Sequence, residues 1–461
     1  MRRPPHLLRG IGVLDATTLV VGSMIGSGIF IVSAESARVV GAPGWLLAAW
    51  AIAGTLTMMA ALSCAELAAM LPMAGGQYVF FREAYGPLFG FLFGWTMFLV
   101  VQTGTIAAVS VAFAKFLGVL WPAISGSNKL LTVGSVSVSA VQGVGLLVIA
   151  VLTATNATGL KTGTRTQNVF TFAKFGALLA LTALGLLLGR AGSLAAGSAE
   201  FWRSVAPSGQ PRGGLALLAA VATAMVGPMF SQSAWNNVTF AGEEVRDPGR
   251  TLPRALLAGC LLVTVIYVLA NVSYLRVLPF EGIQHAPEDR VATAAVTWLF
   301  GQGAAAVMAA AIMVSTFGCV NGLILSGARV SFAMARDGLF FRGLERLNAA
   351  SVPGNALWAQ AFWSAVLVLS GSYSDLLKYV ISADILFYVL LVVAVIVLRV
   401  KRPDWPRPFL APGYPYLPLA YAGAGLALIA VLLAGNPRTT WPGYVIVMTG
   451  VPIYFLWRRR R

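Results

Sequence analysis

Charge is scarce in this chain. Asp, Glu, Lys and Arg make up 10% of its 461 residues, while 58% are hydrophobic. Soluble domains carry about 25% charged residues, so the composition excludes a soluble enzyme or binding module and leaves a polytopic membrane protein. Histidine is rarer still. His6 and His285 both fall in loops, which removes an intramembrane histidine proton relay. Cysteine is limited to Cys64, Cys260 and Cys319, an odd number in apolar stretches, so no structural disulfide is expected. Catalytic signatures are missing as well. There is no Walker loop, HExxH or CxxC, and Gly26-Ser27-Gly28 lacks the preceding strand and following acidic residue of a dinucleotide fingerprint. An enzyme is therefore not expected, and no cofactor or metal is implied. Arg2, Arg3 and Arg9 lead into an apolar run, but no short h-region with a cleavage site follows. The first span is expected to stay in the mature protein.

What is present is a series of apolar runs, with a mean hydropathy of +0.80. Twelve are long enough for the roughly 20 residues of a bilayer crossing. They centre on 14–36, 43–71, 85–118, 139–156, 167–189, 213–240, 255–278, 293–325, 354–371, 375–399, 415–434 and 441–457. The formal charge of +16 follows topology more than any nucleic-acid surface. With the N-terminus inside, cytoplasmic segments collect 21 of the 32 basic residues, including the tail Arg458 to Arg461. That bias places both termini inside and makes the span number even.

Two of these runs are interrupted where a membrane helix should be regular. The first holds Val21-Gly22-Ser23-Met24-Ile25-Gly26-Ser27-Gly28-Ile29-Phe30, and the sixth holds Val226-Gly227-Pro228-Met229-Phe230-Ser231-Gln232-Ser233-Ala234-Trp235. Backbone freed inside a bilayer finds no water, so a break is tolerated where it lines a polar cavity. Matching breaks in two halves of a membrane chain point to a transporter's substrate site. At the first break, the N–H groups that start the resumed helix form an anion site. Carbonyls around Met24 and Ile25 are complementary acceptors for a cation, so the pair suits a zwitterion. In the sixth run, carbonyls near Phe230 and Ser233 are expected to complete the ammonium shell, with Phe230 as a lid and Trp235-Asn236-Asn237 starting the resumed helix.

Lys174 sits about a third of the way along the fifth run, too deep for easy snorkelling, so it should face a polar interior. It reads as a fixed cation bracing span 1 against span 5, or as a titrating amine. Asp384, inside span 10, is a second charge with no partner evident from sequence. Asp15 opens span 1, where a carboxylate suits a helix N-terminus. Glu66 is expected to pair with a nearby basic loop residue. Glu243 and Glu244, followed by Arg246, Asp247 and Arg250, read as a cytoplasmic gate network or a solvated loop.

The run Gly22-Ser23-Met24-Ile25-Gly26-Ser27-Gly28-Ile29-Phe30 resembles the first-span motif of the amino acid–polyamine–organocation superfamily, whose members share the LeuT-type fold. Three further runs are similar to its L-type amino acid transporter family: Ala234 to Glu244 through Asp247-Pro248 and Thr251-Leu252-Pro253; Thr164-Arg165-Thr166-Gln167 leading to Ala173-Lys174; and Phe317-Gly318-Cys319-Val320-Asn321-Gly322 leading to Arg329. The resemblance runs from about residue 8 to the C-terminus. It implies an all-α membrane protein of twelve helices with discontinuous helices 1 and 6. A 5+5 inverted repeat would pair about 14–189 with about 213–399, and about 415–457 would be appended, all in one transporter domain. It also implies sodium-independent exchange of neutral L-amino acids by alternating access in the inner cell membrane. The substrate carboxylate would rest on the N–H groups of Ser27, Gly28 and Ile29, and the amine on carbonyls of Met24, Phe230 and Ser233. With Ile25, Gly26, Ser231, Gln232 and Asn236 these make the expected binding set, while Phe230, Lys174 and Asp384 serve gating or coupling. Lys174 matches the family lysine that stands near where sodium-coupled relatives hold a cation.

Three features depart from the family pattern. Segment 119–138 has no cysteine for a disulfide-linked heavy chain, so a stand-alone, bacterial transporter is expected. Gln232 either reads a substrate side chain or packs passively. Asp384 stands where a neutral residue is expected, which leaves open a proton-coupled symporter of amino acids or polyamines. A sensor without net transport is disfavoured, because only four arginines follow the last span.

Overall fold

In a computed structural model of the chain, the structure describes residues 7–133, 136–190, 199–206, 208–370, 373–435 and 437–459. Arg2, Arg3, His6 and the last two tail arginines therefore lie outside the described residues. The first apolar run folds as two helices, α1 (Val13–Met24) and α2 (Gly28–Val40), bent by 42° at the three residues between them. Asp15 starts α1 as the sequence suggests. Its Oδ2 accepts the Gly12 N–H at 3.1 Å, in the first turn, where a carboxylate also meets the positive end of the helix dipole. Pro43 opens α3 (Pro43–Met70) at the first helical position, where its missing N–H costs nothing.

After the short α4 (Gln77–Tyr85), one long span is built from α5 (Pro87–Thr96), a π turn at Met97–Val101 and α6 (Gln102–Leu120). The Trp363 indole takes the Leu99 carbonyl at that π turn, at 2.8 Å. Next comes a hairpin of β1 (Lys129–Val133) and β2 (Val136–Ser139), paired antiparallel. Alternating valines and hydroxyl residues favour extended backbone here, and this hairpin departs from the purely helical expectation. The chain then continues through α7 (Ala140–Ala157), α8 (Leu160–Leu188), the four-residue α9 (Ala199–Trp202), α10 (Gly214–Ala224), α11 (Val226–Ser231), α12 (Asn237–Phe240) and α13 (Pro248–Val277).

The eighth run is not one span. It divides into α15 (Val291–Phe300), which follows the short α14 (Phe280–Gln284), and α16 (Ala304–Arg336). Gly301, at φ +82°, stops α15 in a conformation that glycine adopts without penalty. The membrane-length helix thus starts near 304 and runs eleven residues past the expected end at 325. α17 (Gly354–Ser370), α18 (Tyr373–Lys401), α19 (Tyr416–Gly435) and α20 (Pro437–Arg459) complete the chain.

Among the described residues, nine helices are long and apolar enough to cross a membrane, or ten if the bent pair α1–α2 counts as one span. α16 is the most buried, with 67% of its best window inside the protein, and α10–α11 the least, at 28%. That contrast puts α16 at the centre, where its polar residues meet the break in the first span.

Candidate functional site

The break between α1 and α2 exposes carbonyls that a helix would have consumed. Each finds a donor from another span. Lys174, on α8 and 1% exposed, donates to the carbonyls of Gly22, Ile25 (2.7 Å) and Ser315 (3.3 Å). An ammonium has three donors, so this one is fully committed. The Ser315 hydroxyl, on α16, donates to Ile25 O at 3.3 Å and Gly26 O at 3.1 Å. One turn further along, the Cys319 thiol reaches Ser23 O at 3.3 Å. From α13, the Tyr267 hydroxyl donates to Met24 O at 3.1 Å and the Tyr274 hydroxyl to Ile29 O at 3.3 Å. The N–H groups are treated differently. Ser27 precedes the first turn of α2, and among the described residues no backbone carbonyl accepts from the N–H of Ser27, Gly28 or Ile29. Helix starts leave such donors free, and they aim the positive end of the dipole into the gap.

The break in the sixth span lies later than Gly227-Pro228. Both residues sit inside α11, and each has a packing reason. Pro228 cannot bond the Ala224 carbonyl one turn back, and Ser36 of α2 takes that carbonyl at 3.0 Å. A Cβ on Gly227 would stand 2.2 Å from Val32 Cγ1, so glycine is what lets α11 lie against α2. The helix ends after Ser231, and Gln232 to Asn236 bridge to α12, with Ala234 at φ +65°. This segment closes on itself: the Ser233 N–H bonds Phe230 O at 3.0 Å, and the Asn237 N–H bonds Ala234 O at 3.2 Å. The resumed helix begins at Asn237, two residues beyond Trp235.

The two breaks meet. The Tyr267 hydroxyl that caps Met24 O also reaches Ser231 O at 3.4 Å. A Cβ on Gly28 would fall 2.2 Å from Ser231 Oγ, a contact only glycine permits. Gln232 takes no part in the gap. Its amide donates to Trp50 O at 3.5 Å and accepts from Thr264 at 3.1 Å, so it packs between α3 and α13. Asn236 is buried, with its carbonyl held by Thr239. Asp384 lines a small cavity with Phe230 and Ser233, and Lys174 is not part of that lining.

One end of the molecule is closed by ion pairs. Glu244 and Arg329 form a buried two-point pair at 2.8 and 2.9 Å, and the Gly10 and Ile11 N–H groups both bond Glu244 O. Glu243 meets Arg336 at 3.1 Å. Asp337 meets Arg82 and, at 2.7 Å, the Tyr78 hydroxyl. The partners of Glu243 and Glu244 thus come from α16 and not from the neighbouring Arg246 or Arg250. Glu66 is also bound at long range, by Arg399 at 2.6 Å, Arg407 at 3.5 Å and the Ala411 N–H at 2.8 Å.

A sequence profile described as amino acid permease matches residues 11–454. The chain belongs to the amino acid permease family. It is 30% identical to the serine/threonine exchanger SteT of Bacillus subtilis, over 99% of this chain and 98% of that protein. It is also 30% identical to the human large neutral amino acids transporter small subunit 2, covering 98% of this chain and 80% of the relative. Human Asc-type amino acid transporter 1 is 29% identical over 98% of this chain and 84% of its own length. This permease is a transport protein of the membrane and not an enzyme. The sequence points to Lys174 and both breaks and names Cys319 in a family motif, but it does not mark Tyr267, Ser315 or the role of Cys319 as caps of the first break. Tyr267 carried a usable signal: a phenol hydroxyl inside the apolar run Leu261 to Leu269 needs a partner.

Proposed function

We propose that this permease is a sodium-independent exchanger of neutral L-amino acids that works by alternating access around the two breaks. The observation that carries the proposal is the Lys174 ammonium, spent entirely on carbonyls at the first break and at Ser315. One fixed positive charge among those carbonyls repels a sodium ion at the same place. The free N–H groups of Ser27, Gly28 and Ile29 suit a substrate carboxylate. The amine would take carbonyls of Ser233, Phe230 and Met24, whose second lone pairs remain, with Phe230 as the lid and Ile25, Gly26, Ser231 and Asn236 shaping the backbone. Gln232 is assigned to packing. The names of the relatives, a serine/threonine exchanger and transporters of large neutral and Asc-type amino acids, support neutral substrates and exchange.

The same reading takes the fold as twelve spans, a 5+5 inverted repeat of the LeuT type with α19 and α20 appended. Both termini are cytoplasmic in the inner membrane, so the Glu244–Arg329 pair closes the cytoplasmic side. Cys64, Cys260 and Cys319 are free and buried, and we infer a transporter without a disulfide-linked heavy chain. The test is uptake of labelled alanine into proteoliposomes, sodium-free and at equal pH on both sides. Uptake confined to vesicles preloaded with amino acids is expected. Equal uptake into empty vesicles replaces exchange by uniport, and silence until an inward proton gradient is imposed replaces it by symport.

A further inference from the structure

Asp384 is the charge left unused by that reading. It sits within α18, and among the described residues no lysine, arginine or histidine forms an ion pair with it. The Tyr388 hydroxyl, one turn on, is the donor to its carboxylate. A carboxylate inside a span costs a few kcal/mol on insertion scales, and such residues face a polar interior or a substrate path. Here the surroundings are a cavity. Asp384 lines a cavity together with Phe230, Ser233, Trp235, Tyr388 and Tyr421. Phe230 and Ser233 bracket Ser231-Gln232 at the sixth-span break, so the cavity adjoins the carbonyls proposed to hold the substrate. Trp235 stacks on Tyr388 with ring centroids 5.3 Å apart. A carboxylate among aromatic faces is the chemistry that receives an ammonium, through charge and through the ring quadrupoles. Lys174 does not compete for it, because its donors are already spent on three carbonyls.

We propose that this cavity is the side-chain end of the substrate site, and that Asp384 selects amino acids whose side chain ends in a short primary amine. This rests on the exchange part of that reading and departs from its neutral side chains, adding a cationic class beside alanine. The cavity is small, which favours a two- or three-carbon side chain over lysine. Norvaline and 2,4-diaminobutyrate match in shape and differ by a methyl against an ammonium, so their ratio isolates the carboxylate.

The experiment is inhibition of labelled alanine exchange in preloaded proteoliposomes by these two compounds, in the wild type and in Asp384→Asn. In the wild type, diaminobutyrate should inhibit at least tenfold better than norvaline, and in Asp384→Asn that preference should fall by tenfold or more. If the variant does not exchange, the same ratio is read from ligand-induced thermal stabilisation of the purified protein. A wild type that exchanges alanine but prefers norvaline, or a ratio that Asp384→Asn leaves in place, overturns the assignment. So does alanine exchange accompanied by proton movement that Asp384→Asn abolishes, which makes Asp384 a proton carrier. A wild type that exchanges no amino acid at all sinks the exchanger reading instead, a separate outcome.

Discussion

The two breaks solve one physical problem in opposite ways. At the first, the freed carbonyls are capped from outside, by Lys174, Tyr267, Ser315 and Cys319 on three other spans. At the sixth, the chain caps itself through turns at Phe230 and Ala234. Inside a bilayer each unmet carbonyl costs free energy, and the two solutions differ in what movement costs. Opening the first break means parting four side-chain donors together. Rearranging the sixth exchanges local turns and involves one residue at positive φ. Under the proposed alternating access, the first break would be the fixed frame and the sixth the part that moves with each half-cycle.

Removing Lys174 should do the greatest damage to this contrast. Lys174→Ala takes the cation from the Gly22, Ile25 and Ser315 carbonyls, of which Ile25 O keeps the Ser315 hydroxyl, and a buried polar group left unmet costs about 1–3 kcal/mol. Exchange should drop more than tenfold while the protein still reaches the membrane, which surface labelling and proteoliposome uptake measure together. Near wild-type exchange by this variant would show that the first break does not depend on its ammonium.

Second in size is the contact between the breaks. Gly28→Ala drives a methyl to 2.2 Å from Ser231 Oγ, an overpacking worth about 1–3 kcal/mol. Substrate affinity should fall several-fold, and Ser231→Gly in the same chain should restore part of it. If the double variant is no better than Gly28→Ala, the strain lies elsewhere.

The sequence carried the outline of this site because bilayer physics leaves few alternatives. A lysine in mid-span must face inward, and Gly26-Ser27-Gly28 in a membrane helix must break or pack closely. What it did not carry was which distant groups answer those demands. The donors to Met24, Ile25 and Ser23 are 243, 290 and 296 residues away in the chain, and no local pattern marks them. Gly227-Pro228 misled for a related reason. Proline breaks a helix unless another group takes the orphaned carbonyl, and Ser36, on a different span, does so. The hairpin at 129–139 and the split at Gly301 were missed because strand and cap signals there are short beside the apolar runs around them.

Tyr267 spans the comparison, since one hydroxyl touches Met24 O in the fixed break and Ser231 O in the self-capped one. Tyr267→Phe keeps the ring, including its edge-on contact with Trp50, and deletes both hydrogen bonds. The one hydroxyl proton is shared between the two carbonyls, and at about 0.5–1.5 kcal/mol its loss should lower thermal stability measurably. Exchange should slow two- to tenfold, less than in Lys174→Ala. Unchanged melting and transport would uncouple the breaks at this point.

The smallest effect is expected at Ala234, and it discriminates between frame and moving part. At φ +65° its Cβ is strained by roughly 1 kcal/mol, which glycine removes. Ala234→Gly also loosens the unfolded chain, which takes back about 0.4–1 kcal/mol, so net stability should barely change. The rate should respond instead. If the sixth break moves, relaxing its strained residue shifts the balance between outward- and inward-open forms. That shift would alter the maximal exchange rate up to about threefold with substrate affinity held. A variant whose affinity falls while its maximal rate stays put would mean that Ala234 shapes the bound state, and that the sixth break is as fixed as the first.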